Sequence, residues 1–542
     1  MLLLDGIIYA LTSMVVLLLI TGGVHYASPT MKLELSQVDA FAISLLALLC
    51  IRRSAFKRWL PPRIERSATI AMLIFSRYPL ATLAVANLVY VLLMTWSSSC
   101  RFDSFHATAF DLSFVDQSLW STTHVGFLHS SLAKGQSYLG EHFSPVLGLV
   151  ALVYRLFDSP YFLFLLQSVA LASGSLLVYA LGVQKKIPRS VAVTAALCFL
   201  LFQPLRAANS FDFREDNLFI PIFLGALISL EKKRLTLFWV LCLISWSVKE
   251  NAPIFTALLG AWLCVDSLRG RMPVSRRWHG VALGLLSFFA FYIINSKITP
   301  HFVGSGMGAD TMLVKRLRQF GGTNDQILRA ILLHPFAFAA EVLRPFFQVK
   351  AARYFLDVTA PFLFFVPAAP LPALIVLAGI GMNLLVNQPT IGFHYECILI
   401  PFLFYILLAG LATLNSKNKL VGVRVPVLMT LSFLLFFGRS PVDSIRRHWP
   451  TAHDRFVSQE LLRIPEAASV ATQGVLHPHL AHRKDVFLFS AGVPSTDYIV
   501  ADLSPGIELY ATPNLYADLA KIDSAVYSLE FDRDGLKIWH RK

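Results

Sequence analysis

Long apolar runs recur from one end of this 542-residue chain to the other, and short clusters of Lys and Arg separate them. That pattern constrains the fold more than any motif does. A run of about 20 apolar residues crosses a bilayer as a helix, and in lipid only helices and closed barrels satisfy every backbone polar group. Charged residues make up only 15% of the chain, against about 25% in soluble domains. The chain therefore reads as an all-α polytopic membrane protein. A net charge of +14 on its own would fit a nucleic-acid partner. The basic residues lie between the apolar runs, however, where they act as orientation signals, and no nucleic acid is expected.

The six cysteines form no CxxC pair, so neither a zinc site nor a disulfide framework is indicated. The opening run "MLLLDGIIYALTSMVVLLLI" carries no basic region and no clear cleavage site, and is expected to stay as a helix.

Sidedness follows from the basic loops. Helices are expected near 3–20 and 38–51, followed by "RRSAFKRWLPPRIER" with Arg52, Arg53, Lys57, Arg58, Arg63 and Arg66. Six basic residues in one loop place it in the cytoplasm, and the N-terminus with it. A third helix then ends near Trp96, which makes 97–143 an extracytoplasmic loop. The clusters "KKIPR", "EKKR", "RGRMPVSRR" and "NSKNK" are all cytoplasmic only if 145–157 does not span. That segment is read as an interfacial helix, with the true span opening at Ser159-Pro160. Further spans near 161–184, 191–207, 218–230, 235–249, 252–266, 279–296, 353–367, 370–387, 397–414 and 423–438 give about 13 crossings.

The chain then divides into 1–66 (first helices and basic loop), 67–438 (a transmembrane catalytic domain with outer loops 97–143 and 296–352) and 439–542. The last part holds short alternating pieces such as "DYIVADL" and "AVYSLEFD" and reads as a small α/β extracytoplasmic domain. The second outer loop opens on a flexible "GSGMGAD". The expected location is the plasma (inner) membrane.

On this topology the ionisable residues gather outside. They are Asp111 and Asp116 in "FDLSFVDQSLW", Glu141 and His142 in "LGEHFSP", and Asp212, Arg214, Glu215 and Asp216 in "NSFDFREDN". Lys249 and Glu250 follow in "SVKEN", then His394, Tyr395 and Glu396 in "NQPTIGFHYE". Ionisable groups at membrane depth are expensive and mark function. Each also has a bland reading. Asp111 reads equally as a helix N-cap, Asp116 as a solvated helix position, Glu141-His142 as a surface pair. The "DFRED" charges can simply pair, Lys249-Glu250 can be a charged turn, and Tyr395 an interfacial anchor.

Together they describe an outward-facing cavity suited to transfer from a lipid phosphate carrier. Cations hold the phosphate, a carboxylate takes the acceptor's proton, and apolar walls hold the polyprenyl tail. No GxxxxGK[ST], GxSxG or HExxH is present, which leaves ATPase, serine hydrolase and zinc protease readings without support.

The blocks "FDLSFVDQSLW", "LGEHFSPVLGLVALVYRLFDSP", "FDFREDNLFIPIFLGAL", "LISWSVKENAPIFTALLGAWL" and "FHYECILIPFL" resemble a prokaryotic family of predicted multi-pass membrane proteins, domain of unknown function 2079. The resemblance covers roughly residues 105–414, and "LLRIPEAASVATQGVLHPHLAHRKDVFLF" is family-like too. That family is similar to the GT-C glycosyltransferases, which use polyprenyl-phosphate sugars and place an acid in the first large outer loop. The likeness implies a GT-C-like fold, a polyprenyl-phosphate-linked sugar donor, an extracytoplasmic acceptor, and Asp111 as the base or the acid that orients the acceptor, with Glu141 and His142 lining the same site. The expectation taken forward is Asp111 as the base, with Asp116, Glu141 and His142 in support.

Asp212, Arg214, Glu215, Lys249, Glu250, His394 and Tyr395 would bind substrate, with Lys249 and Arg214 toward the donor phosphate. The family has His-Pro-like residues where this chain has Arg214-Glu215, and Lys-Glu-Asp where it has Lys249-Glu250-Asn251, one carboxylate fewer. No metal ligand is assigned and a divalent metal stays open. The expected activity is hexosyl or pentosyl transfer. The competing reading is a transporter or flippase of a lipid-linked or anionic solute, which needs polar residues at broken helices.

Overall fold

The computed structural model describes residues 1–27, 32–35, 37–133, 136–303, 318–385, 390–420, 422–489, 495–505 and 514–542. The "GSGMGAD" stretch lies outside them. The chain is mostly helical with one small sheet at its end. Among the described residues, four helices are long and apolar enough to cross a membrane: Leu2–Thr21, Pro79–Asp103, Pro160–Gln184 and Val274–Val303. A fifth is a pair, Arg189–Leu201 and Gln203–Ser210, bent by 43°.

Other expected spans form shorter apolar helices, among them Leu235–Trp246, Ala252–Leu268, Pro370–Leu385, Ile400–Ser416 and Arg424–Leu434. At about 1.5 Å per residue, the 12 residues of Leu235–Trp246 fall short of a hydrocarbon core about 30 Å thick. The count of about 13 crossings is thus not what helix length and composition give. The expected span 353–367 is a helix, Val349–Thr359, running into 3-10 turns over Ala360–Ala368.

Burial follows what lipid demands. In Pro79–Asp103, Leu83, Tyr90 and Met94 form a buried stripe while Leu80, Val85, Leu88, Val89 and Leu92 stay exposed. Ile400–Ser416 runs through the middle, with Phe402 to Leu408 all buried. Helices Ala252–Leu268 and Val274–Ile293 cross where Gly260 and Gly280 meet, and a Cβ on either would stand 2.6 Å from the other's carbonyl oxygen. Small residues permit such close crossings in membranes. The break at Phe202 is filled by the rings of Phe362, Phe404 and Phe433 at 5.3–5.9 Å.

Two local expectations change. Arg52, counted among the loop charges, is buried inside helix Val38–Phe56, where its Nε lies 2.7 Å from Asp5 Oδ1 and ties that helix to Leu2–Thr21. The latter half of the basic loop is itself the helix Pro62–Arg77. The segment 145–157 contains only the nine-residue helix Val146–Tyr154, and Ser159 caps the long helix that follows.

The tail carries strands β3 (Val470–Thr472), β4 (Val486–Leu488), β5 (Tyr498–Asp502), β6 (Tyr527–Arg533) and β7 (Leu536–Arg541), after an N-terminal hairpin of β1 (Val24–Ala27) and β2 (Lys32–Leu35). The order is β4-β3-β5-β7-β6. β3 pairs in parallel with β4 and β5, and β7 runs antiparallel to β5 and β6. Helix Ala452–Leu461, opened by a Thr451–Asp454 capping box, packs Val457 and Leu461 into the same core as Val470, Val486 and Val500.

Candidate functional site

Asp111 lies in a π-helical turn, Ala109–Ser113, that leads into helix Phe114–His124. Single π turns recur at functional sites because the extra residue re-aims a side chain. Asp111 is not the cap. Thr108, extended at φ −114° and ψ 154°, holds that position. Its hydroxyl stands 2.9 Å from Asp111 Oδ2 and 2.9 Å from Asp212 Oδ2, and its backbone N–H donates to Asp212 at 2.8 Å. Two carboxylates therefore compete for one hydroxyl proton. Burial pushes the Asp212 carboxyl up, although the Arg101 guanidinium, 3.4 Å away, opposes this. Asp111 itself stays half-buried.

The loop 211–218 supplies the centre. Arg214 is fixed by its backbone N–H, which donates to Gln167 Oε1 at 3.1 Å. Its Nη1 lies 3.7 Å from Asp111 Oδ1, and its Nη2 donates to His142 Nε2 at 3.5 Å. His142 Nδ1 is 3.2 Å from Glu250 Oε1. With Nε2 accepting, the proton belongs on Nδ1 and donates to Glu250. The result is a continuous line Asp111–Arg214–His142–Glu250. Burial raises the Glu250 carboxyl, but the neighbouring His142, which also hydrogen-bonds it, and the Lys249 charge outweigh this and hold it at about 2.

A second line runs beside the first. Lys249 Nζ donates to Glu215 Oε1 at 2.7 Å and to Asp216 Oδ2 at 3.0 Å. Glu215 is fully buried and also accepts from Tyr138 Oη at 2.9 Å and Ser144 Oγ at 3.3 Å. Burial pushes Glu215 up, yet Lys249 and Arg214 bring it well below the usual carboxylate range. Asp216, where burial prevails, stays above it. His394 Nε2 stands 3.6 Å from Asp216, beyond a hydrogen bond, and burial with the Arg214 and Lys249 charges keeps the ring neutral. The Tyr395 ring lies 4.6 Å from that of His394, tilted by 37°. Glu396 accepts from Tyr354 Oη at 2.7 Å, and burial pushes its carboxyl up to about 7. Among the described residues, three deeply buried polar atoms of the site, Arg214 Nε, His394 Nδ1 and Glu396 Oε2, have no protein partner.

The structure thus gathers Asp111, His142, Asp212, Arg214, Glu215, Lys249, Glu250 and His394 from five separate segments. Glu141 sits at the rim, half-buried, in the turn after Tyr138–Gly140. Asp116 points elsewhere. It is fully buried, held by Tyr154 Oη and by His482 Nε2 at 3.1 Å, on the tail side of its helix. Arg101, Thr108, Gln167 and Tyr354 escaped the sequence reading because single polar residues carry no pattern. Among the described residues no group of three His, Cys, Asp or Glu is placed to hold a metal ion.

A family model described as a predicted membrane protein, DUF2079, matches residues 101–536. No curated protein matches the sequence. Among solved structures, the chain is similar to ArnT from Cupriavidus metallidurans bound to undecaprenyl phosphate, at 12% identity and a TM-score of 0.47. The match covers 85% of this chain and 98% of that one. ArnT in the apo state gives 15% identity and a TM-score of 0.45 over the same shares.

Proposed function

Since the chain belongs to the DUF2079 family of predicted membrane proteins, we propose that it is an integral membrane glycosyltransferase of GT-C type that moves a sugar from a polyprenyl-phosphate carrier to an extracytoplasmic acceptor. The observation that carries this reading is the half-buried Asp111, set on a π turn and backed by a buried guanidinium. Residues 67–438 form the catalytic domain, with 1–66 and the tail 439–542 as appended parts. The N-terminus is cytoplasmic and the C-terminus outside.

Asp111 takes the proton from the acceptor hydroxyl as its oxygen attacks the anomeric carbon. The bond from that carbon to the phosphate oxygen breaks, and polyprenyl phosphate leaves with the electron pair. Arg214 lies beside Asp111 and, among the described residues, its Nε has no protein partner, so it retains a donor for a phosphate oxygen. Lys249 uses two of its three donors on Glu215 and Asp216 and serves first to keep that pair charged. His142 and Glu250 fix the far side of Arg214. No step is assigned to a metal.

The transporter reading needs polar groups at broken helices. Here the break at Phe202 is packed with phenylalanine rings, and the buried guanidinium beside it, Arg206, donates to the carbonyls of Leu201, Phe437 and Arg439, which favours the enzyme.

The test is transfer by the purified protein from a panel of radiolabelled polyprenyl-phosphate sugars. Asp111→Asn is expected to lose about 10²–10⁴-fold, the range of a general base. A folded Asp111→Asn that transfers at the wild-type rate removes the base from this scheme.

A further inference from the structure

Asp111 and Asp116, five positions apart, make two kinds of contact. Asp111 faces the buried charges described above. Ser113, Asp116 and Gln117 face the tail, and their partners in the tail come from one short stretch, His477 to Lys484. Ser113 Oγ is 2.6 Å from His477 Nδ1, with both residues fully buried. Gln117 Nε2 donates to the Arg483 carbonyl at 3.1 Å. Asp116 is shared between Tyr154 Oη, from helix Val146–Tyr154, and His482 Nε2.

The third histidine of the stretch, His479, lies between the rings of Phe102 and Phe105 at 4.1 and 4.0 Å, and its Nε2 stands 3.0 Å from the Phe102 carbonyl. All three histidines of "HPHLAH" therefore grip residues 102–117. The His482 ring also lies parallel to Trp120 at 6.0 Å.

We propose that His482, acting through Asp116, and His477, acting through Ser113, are positioning residues that lock the π turn presenting Asp111. The tail is then a part of the active site rather than an appendage beside it. The physical reason is the geometry of a π turn. It is less regular than the helix that follows, and its C-terminal boundary is Ser113, so whatever fixes Ser113 and Asp116 fixes the angle at which Asp111 leaves the helix. Asp116 contributes no donor or acceptor to the Asp111 cluster and is sealed from solvent, so it acts only through what it holds. Asp116 and His482 form a buried carboxylate with a partner that donates when neutral and carries charge when protonated, which ties the two segments together on either side of the imidazole's titration.

This inference rests on Asp111 as the base, and its test separates the two claims. Hydrogen exchange at residues 109–117 is measured on the full-length protein in detergent, together with donor KM and kcat. His482→Ala and Asp116→Ala are expected to speed exchange across 109–113 at least tenfold. They lower kcat at least tenfold and leave the donor KM within about twofold, and the double variant is no worse than either single one. His482→Gln, which keeps a donor for Asp116, restores part of kcat. His453→Ala, which removes a tail contact to Asp502 and Asp534 remote from this interface, leaves 109–117 unchanged.

Unaltered exchange at 109–113 in His482→Ala overturns the proposal whatever the transfer assay gives, as does raised exchange with wild-type kcat. If the wild type moves no sugar while His482→Ala still loosens 109–113, the proposed function falls and the lock stands.

Discussion

Among single residues, Lys249 has the clearest energetic role. Buried between Glu215 and Asp216, it pairs with both carboxylates at once. Removing one partner of a buried ion pair costs about 3–5 kcal/mol, because the other charge is left uncompensated. Lys249→Ala is expected to lower the thermal midpoint in detergent more than any exposed Lys→Ala, and an equal shift for the two would place Lys249 in solvent. Glu396 gives a pH signature. Its carboxyl sits at about 7 in the folded protein because it is buried, with the Tyr354 hydroxyl and a backbone hydrogen bond opposing. The unfolded value is about 4.3. The folded state binds the proton more tightly, so stability present at low pH is lost as pH rises from about 4.3 to about 7. Glu396→Gln should flatten that part of the midpoint-against-pH curve; an unchanged slope assigns the titration to another group.

Among elements, the crossing of Ala252–Leu268 with Val274–Ile293 depends on two glycines. Gly260→Val is expected to cost about 1–3 kcal/mol by overpacking. Gly284, one turn on, has open space where a Cβ would go. Gly284→Ala should be neutral or gain up to about 1 kcal/mol from helix propensity. Thermal unfolding of the two variants side by side checks the crossing, and equal losses would show it is not tight at Gly260.

Elements were also where the sequence was most and least legible. Apolar runs announced the long helices, and polar residues clustered in "LGEHFSP", "DFRED" and "SVKEN" announced segments that do meet. The π turn was illegible because "FDLSFVDQSLW" has ordinary helical spacing. Arg52 was misread because its partner, Asp5, lies 47 residues away. Asp116 was grouped with Asp111 because proximity in sequence says nothing about opposite faces of one helix, and His482 is 366 residues distant.

At the scale of the whole molecule, the tail's grip on residues 102–117 is set by histidines in unlike states. Burial pushes His477 and His479 down to about 4, against bonds to the Val486 and Phe102 carbonyls; Arg483 also opposes charge on His477, while Asp454 favours it on His479. For these two, stability is present above about 6.5 and is lost as pH falls toward 4. Burial opposes charge on His482 as well, but Asp116, Asp158 and Glu466 outweigh it and raise its pKa, so its contribution grows as pH falls. Two histidines weaken the contact in acid and one strengthens it. Trypsin is therefore expected to release the tail faster at pH 5 than at pH 7.5, once rates are corrected for protease activity. Equal release would mean that the buried pair does not govern the contact.

The same contact has a consequence for how the protein is made. Ser113 and His477 are 364 positions apart. At about 5–20 residues per second, a ribosome needs roughly 20–70 s to go from one to the other. Through that interval the segment bearing Asp111 has left the ribosome without the turn that fixes it. Until the stretch His477 to Lys484 follows, the lock proposed above cannot form.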